Sequence, residues 1–285
     1  MNPLWIGLGL AAAPAVLLGG TRLVRRRLRE ARDDHSRRPA LWNRFYALDW
    51  GDTTTNNYGF APASGDHPQR FQHQMYLEML GLLKANRPDA AGLKLLEVSC
   101  GRGGGLGAIR GAAPELDLTG LDVAATAIAF CRKEYGEDER RRFIEGSALG
   151  LPFADSSFDV LLNVEASNDY GDRPRFFAEV ARVLKPNGVF LYTDSFRAGD
   201  VAKMKEELAA AGFRADFTDV TANVAEACRL DTPRRQAVIR ERAPVIMRLA
   251  LRQQLGNYAA IEGSSKYRQF VNGRRNYLMT AATRA

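Results

Sequence analysis

From residue 94 onward the chain alternates between short apolar runs and stripes of helical period. Lys94 to Val98, Leu116 to Val123, Arg142 to Ser147, Phe158 to Glu165, Val189 to Asp194, Phe213 to Val220 and Asn276 to Thr283 have the length and composition of strands. The fourth has the near-continuous apolar character, through Val160, Leu161, Leu162 and Val164, that a parallel strand covered on both faces requires. Leu106 to Ala113, Ala124 to Tyr135, Arg173 to Leu184 and Val201 to Ala211 have the spacing of amphipathic helices, with a turn at Lys185-Pro186-Asn187-Gly188. Strand and helix in strict alternation predict an α/β fold around a mostly parallel sheet.

The flanks do different work. Gln69 to Lys84 carries Phe71, Met75, Met79 and Leu82 on one helical face, the pattern of a helix that docks beside the first strand. Asp52 to Pro62 is polar and turn-rich yet holds Tyr58 and Phe60. Residues 221–275 form a mostly helical insertion too long for a simple connection, and are expected to cap the substrate site. Leu4 to Gly20 carries no charge, and Arg22, Arg25, Arg26, Arg27 and Arg29 follow it. That is the pattern of a membrane-anchor helix whose arginine side stays in the cytoplasm. The expected division is therefore 1–38, anchor and basic linker, and 39–285, a domain with an N-terminal lid at 39–90 and its cap at 221–275.

Composition narrows the chemistry. With 46% hydrophobic residues the chain can bury one core and an appended subdomain. Its 3 cysteines, Cys100, Cys131 and Cys228, are far apart, so neither a disulfide framework nor a metal cluster is implied. A formal charge of +7 would suit an anionic polymer. However, the arginines from Arg234 to Arg252 lack interleaved aromatics, which argues against nucleic acid. The 3 histidines are His35, His67 and His73.

Glu97-Val98-Ser99-Cys100-Gly101-Arg102-Gly103-Gly104-Gly105 ends the first strand in a carboxylate and a glycine turn, where the backbone can approach a ligand closely. Asp122 ends the second strand at the place where an acid binds ribose hydroxyls. The turn has neither the G-x-G-x-x-G spacing nor the lysine of a phosphate loop, which disfavours a pyrophosphate ligand. Glu165 closes the fourth strand at its carboxyl end, where open α/β sheets bind ligands.

Through Glu97 to Gly103, with Ser99 where a glycine is usual, the chain resembles the class I S-adenosylmethionine methyltransferases. Glu97 to Gly101 and Asn163 to Ser167 are similar to the subset acting on phthiotriol-type lipids, polyketides and other hydrophobic metabolites. The resemblance implies a Rossmann-like seven-stranded sheet with its last strand antiparallel. It also implies S-adenosylmethionine bound by Tyr58 as lid, Glu97, Ser99, Gly101, Gly103, Asp122, Val123, Ser147, Ala148 and Asn163, with Ser147 where an aspartate commonly meets adenine.

Methyl transfer from a sulfonium is an in-line displacement that rests on positioning. A hydroxyl acceptor also needs a base, and Asn168 stands where relatives often carry histidine. Glu165, or His67 or His73 reaching in from the lid, are the substitutes; Glu165 could equally serve carbon methylation of an isoprenoid. The expectation is a membrane-associated enzyme that methylates a hydrophobic small molecule at oxygen, with self-association left open. The alternatives are isoprenoid C-methylation, a nonenzymatic module and a polymer methyltransferase. The Asn/Asp-Pro-Pro-Tyr signature of base methylation is absent, since Asn168-Asp169-Tyr170-Gly171 stands in its place.

Overall fold

A computed structural model of the protein describes residues 38–89 and 91–284. The expected anchor helix lies outside the described residues, among which no helix is long and apolar enough to cross a membrane. Helices α1 (Arg38–Tyr46) and α2 (Arg70–Asn86) precede β1 (Lys94–Val98), α3 (Gly104–Ala112), β2 (Asp117–Asp122), α4 (Ala125–Tyr135), β3 (Arg141–Glu145) and β4 (Phe158–Val164). There follow α5 (Arg173–Val183), β5 (Leu184–Arg197), α6 (Val201–Ala210), β6 (Phe213–Arg214) and β7 (Thr218–Asp219). The cap is α7 (Thr221–Leu230), α8 (Thr232–Arg242), α9 (Val245–Ala250), α10 (Arg252–Tyr258) and α11 (Ser265–Val271), and β8 (Arg275–Arg284) closes the order.

The strands run β3-β2-β1-β4-β5-β8-β6 in one sheet, with β7 also on β8. From β3 to β5 the pairings are parallel, and β8 runs antiparallel to β5 from Val189↔Thr283 to Arg197↔Arg275. Successive side chains leave opposite faces of a strand, so Leu95 and Val160 join one core with Met75, Met79 and Ile109, while Leu96 and Leu161 join another with Phe176, Phe177 and Leu208. The sheet is thus covered on both faces.

Four expectations change. The sheet has 8 strands, not seven. The expected sixth strand, Phe213 to Val220, is two short ones on different stretches of β8, because the intervening segment leaves the ladder and its Asp216 carbonyl accepts from the Thr280 hydroxyl at 2.8 Å instead. The expected turn at Lys185 to Gly188 lies within β5, where the pairing to β4 shifts register between Phe158 and Val160. On α2, Leu83 rather than Leu82 is fully buried, beside Tyr76 and Leu80.

Candidate active site

The glycine turn is clipped to β2, since the amides of Ser99 and Cys100 both donate to the Leu121 carbonyl at 2.7 and 3.0 Å. Ser99, Gly101 and Gly103 all take positive φ, 65°, 54° and 75°. A Cβ at Gly101 would lie 2.8 Å from the Tyr46 hydroxyl, so the lid helix approaches the bare backbone there. The amide of Gly101 donates to Asp122 Oδ2 and that of Ala124 to Oδ1, each at 2.9 Å. Burial pushes the Asp122 carboxyl up to about 6 against these bonds. Below the turn Glu97 accepts the Tyr76 hydroxyl at 2.8 Å on Oε1, while its buried Oε2 has no partner among the described residues. Burial pushes Glu97 up to about 8.

A cavity of about 140 Å³ opens on this turn. Of the residues expected to hold the cofactor, Ser99, Gly101, Asp122, Val123, Ser147 and Ala148 line it, together with Glu165. The others stand elsewhere. Glu97 and Asn163 are buried behind the wall; Asn163 Nδ2 donates to the Val98 carbonyl at 2.9 Å and the Tyr170 hydroxyl at 2.7 Å, bracing β4 against β1. Gly103 faces Cys131 and Tyr135, so its missing Cβ admits α4 rather than a ligand. Tyr58 lines the neighbouring chamber instead, and the aromatics lining this cavity are Trp42, Tyr46, Tyr76 and Tyr170. Ser147 Oγ accepts the Leu149 amide at 3.1 Å.

The second cavity is a chamber of about 650 Å³ under the lid and cap. Phe45, Trp50 and Leu255 line it and are backed by Met247 and Leu251 of the cap in one apolar cluster. Gln69 fixes the lid loop, accepting the Thr54 and Thr55 amides at 3.0 Å each, and Arg102 reaches from the glycine turn to the Thr53 carbonyl at 2.7 Å. Glu165, at φ 53°, lines both cavities. Its Oε1 accepts the Tyr58 amide and the Tyr277 hydroxyl, each at 2.6 Å. Burial pushes its carboxyl up to about 8 against those two bonds.

Asn168 also lines the chamber, where its side-chain amide donates to Asp194 Oδ1 at 2.8 Å and the Ser195 carbonyl at 2.9 Å. His73 does not reach it. Its ring stacks on His67 at 4.3 Å, and burial with the neighbouring imidazole lowers it to about 4. Sequence reasoning passed over Tyr46, Tyr76, Asp169, Lys266, Arg275 and Tyr277. Tyr76 lay on a helix read only as core, and Tyr277 inside a strand read only as sheet. Nothing local marked Lys266 or Arg275 among so many basic residues.

Residues 96–192 match the family model described as "Methyltransferase domain". The chain is 35% identical over 195 residues to the probable phthiotriol/phenolphthiotriol dimycocerosates methyltransferase 2 of Mycobacterium ulcerans, covering 67% of this chain and 72% of that protein. It is 36% identical over 162 residues to a fatty-acid O-methyltransferase of Mycolicibacterium smegmatis, covering 57% of each. A geranyl diphosphate methyltransferase solved with S-adenosylmethionine shares the fold at a TM-score of 0.60 and 17% identity, over 82% of this chain and 100% of that one. The lower cavity suits the same cofactor through the bare backbone of Gly101 and the Asp122 carboxylate at the end of β2, both in its wall. The chain belongs to the S-adenosylmethionine-dependent methyltransferases, in the group that contains the phthiotriol/phenolphthiotriol dimycocerosates enzymes.

Proposed function

We propose that the protein methylates an oxygen of a lipid-like molecule lying in the upper chamber. The observation that carries this reading is Glu165, which lines both cavities and so marks where acceptor and donor meet. The roof of Trp42, Phe45, Val238, Ile239 and Leu255 gives an aliphatic chain an apolar wall, and about 650 Å³ is within the range of small-molecule sites. The enzyme's own residues need mainly to orient the acceptor and keep water out. The phthiotriol and fatty-acid relatives support a lipid acceptor.

A carbon-methylating reading rests on the same carboxyl, because ionised Glu165 would stabilise a carbocation or take its proton. Incubating the protein with methyl-labelled S-adenosylmethionine and a total lipid extract separates the two. Oxygen methylation puts the label in esters or ethers; label on the carbon skeleton, or none in any lipid, sinks it.

A further inference from the structure

The cations around the upper chamber fall into two sets. Arg234 and Arg235 share the one carboxylate of Asp231 at 2.6 and 2.9 Å, and Arg235 also donates to the Tyr58 carbonyl at 2.6 Å. Lys266 and Arg275 are different. Lys266 is only 6% exposed, yet among the described residues no carboxylate oxygen lies within 4.0 Å of its ammonium or of the Arg275 guanidinium. Arg275 donates to the Ser195 carbonyl at 2.9 Å and hydroxyl at 3.3 Å, which are neutral acceptors. Lys266 has the Tyr58 ring 5.7 Å away. Taking an ammonium out of water is unfavourable unless an anion compensates it. Burial, and next the Arg275 charge, lower Lys266 to about 8.

The carboxylates facing this chamber are Glu165, Asp169, Asp194 and Asp200, and among the described residues none comes within 4.0 Å of the Lys266 ammonium or the Arg275 guanidinium. Asp194 accepts the Ser167 hydroxyl, the Asn168 side chain and the Ser195 amide at 2.7, 2.8 and 2.7 Å. Glu165 is occupied by Tyr58 and Tyr277 and held protonated near neutral pH. Asp169 is pushed up by burial to about 6 against the Arg38 charge, so it is ionised at neutral pH and feels a cation other than Lys266 first. The cationic lining continues outward through Arg197 into a groove of about 420 Å³ that also carries Arg268 and Arg274.

We propose that Lys266 and Arg275 form a carboxylate subsite beside Glu165, and that the methyl acceptor is the carboxylate of a fatty-acid-like amphiphile with its chain against the apolar roof. This rests on the oxygen-methylation reading and names its substrate class. Tyr58 joins subsite to junction, its ring beside Lys266 and its amide on Glu165. A carboxylate arrives already deprotonated, so the chain needs no base. That accounts for Asn168 at the family's histidine position, His73 out of reach, and Glu165 protonated. S-adenosylmethionine supplies the electrophilic methyl: a carboxylate lone pair forms the new O–CH₃ bond, the C–S pair stays on sulfur, and the products are S-adenosylhomocysteine and a neutral ester, with no proton released. Lys266 and Arg275 lose their charge partner in that ester, which favours its departure.

The test is equilibrium binding of palmitate, hexadecanol and hexadecyl phosphate to the full chain loaded with S-adenosylhomocysteine. Palmitate should bind at least about 10-fold tighter than hexadecanol, and Lys266→Met and Arg275→Met should each erase about 10-fold for palmitate while leaving hexadecanol within about 2-fold. Lys266→Arg should retain palmitate binding, and thermal unfolding checks that each variant is folded. Equal binding of acid and alcohol, equal loss of both in Lys266→Met, or a preference for the phosphate overturns the subsite as assigned. Palmitate bound through Lys266 but never methylated overturns the acceptor assignment. Methylation of lipid alcohols unaffected by Lys266→Met would leave oxygen methylation standing and remove this proposal.

Discussion

The cofactor cavity and the acceptor chamber meet at Glu165, and they are built from opposite kinds of sequence information. The cofactor cavity gathers Ser99, Gly101, Asp122, Val123, Ser147 and Ala148 from turns at the ends of three neighbouring parallel strands, so pairing alone brings them together. The chamber gathers Trp42, Tyr58, Glu165, Lys266 and Arg275 from the lid, β4, the cap and β8. A cavity of the first kind tolerates little change in backbone. One of the second kind can be re-lined without disturbing the sheet, which suits a fold that carries many substrates.

The largest effect should come from the packing that holds α3 against α2 behind the cofactor cavity. A Cβ at Gly105 would overlap the Tyr76 ring, which is buried and holds Glu97. Gly105→Val should destabilise the fold by about 3 kcal/mol or more, at the upper end of overpacking, read by chemical denaturation. Stability within about 0.5 kcal/mol of the parent would mean that the α2 to α3 contact is looser than the geometry implies.

Next in size is the strand-end acid. Asp122 both holds the turn, through the Gly101 and Ala124 amides, and faces the cavity. Asp122→Ala should weaken S-adenosylmethionine by about 1.5 to 3 kcal/mol in calorimetry, the scale of hydrogen bonds to a charged group. Unchanged affinity would move the ribose site elsewhere.

What was legible follows the same division. The order of strands and helices, the glycine turn and Asp122 could be read because each rests on contacts between near neighbours in the alternating pattern. The split of the sixth strand could not, since it depends on which parts of β8 Phe213 and Thr218 find. The family resemblance alone puts Tyr58 over the cofactor as a lid. Its amide instead bonds Glu165 and its carbonyl Arg235, contacts far apart in sequence that hold it to the chamber side. Lys266 and Arg275 gain meaning only from burial without a carboxylate beside them, which no sequence pattern reports.

In the chamber the comparison sharpens on the protonation of Glu165. The groups acting on it are Tyr58 of the lid, Tyr277 on β8, Asp194 on β5 and Arg235 of the cap. Its folded pKa is raised to about 8, so the stability tied to its proton is full below the unfolded value of about 4.3 and is lost as pH rises through 8. Catalysis has the same sign if Glu165 works protonated beside a carboxylate: turnover should fall above about pH 8, and Glu165→Gln should stay within about 3-fold of the parent at pH 7 and lose the fall. A base would give the reverse, a rise through pH 8 and a loss of about 10²- to 10⁴-fold in the glutamine variant. Tyr277→Phe removes a donor that favours the ionised form, so the fall should move to higher pH by about 1 unit.

The smallest effect is expected where the turn departs from its relatives. Ser99 sits at φ 65°, in the region where a side chain costs about 1 to 2 kcal/mol and glycine costs nothing. Against that, its hydroxyl shares a hydrogen bond of 2.7 Å with the Tyr170 hydroxyl, which in turn accepts from Asn163 Nδ2. A bond of this kind is worth about 0.5 to 1.5 kcal/mol, and glycine adds unfolded-state entropy of a similar size. The gain and losses nearly cancel, so Ser99→Gly should change stability by no more than about 1 kcal/mol. Its effect should appear instead in cofactor affinity, because Tyr170, freed from Ser99, also lines the cavity. Calorimetry should show a loss of about 3-fold, the lower end for one hydrogen bond. A gain in both stability and affinity would mean that the serine is only a strained substitute for glycine, with no part in holding Tyr170.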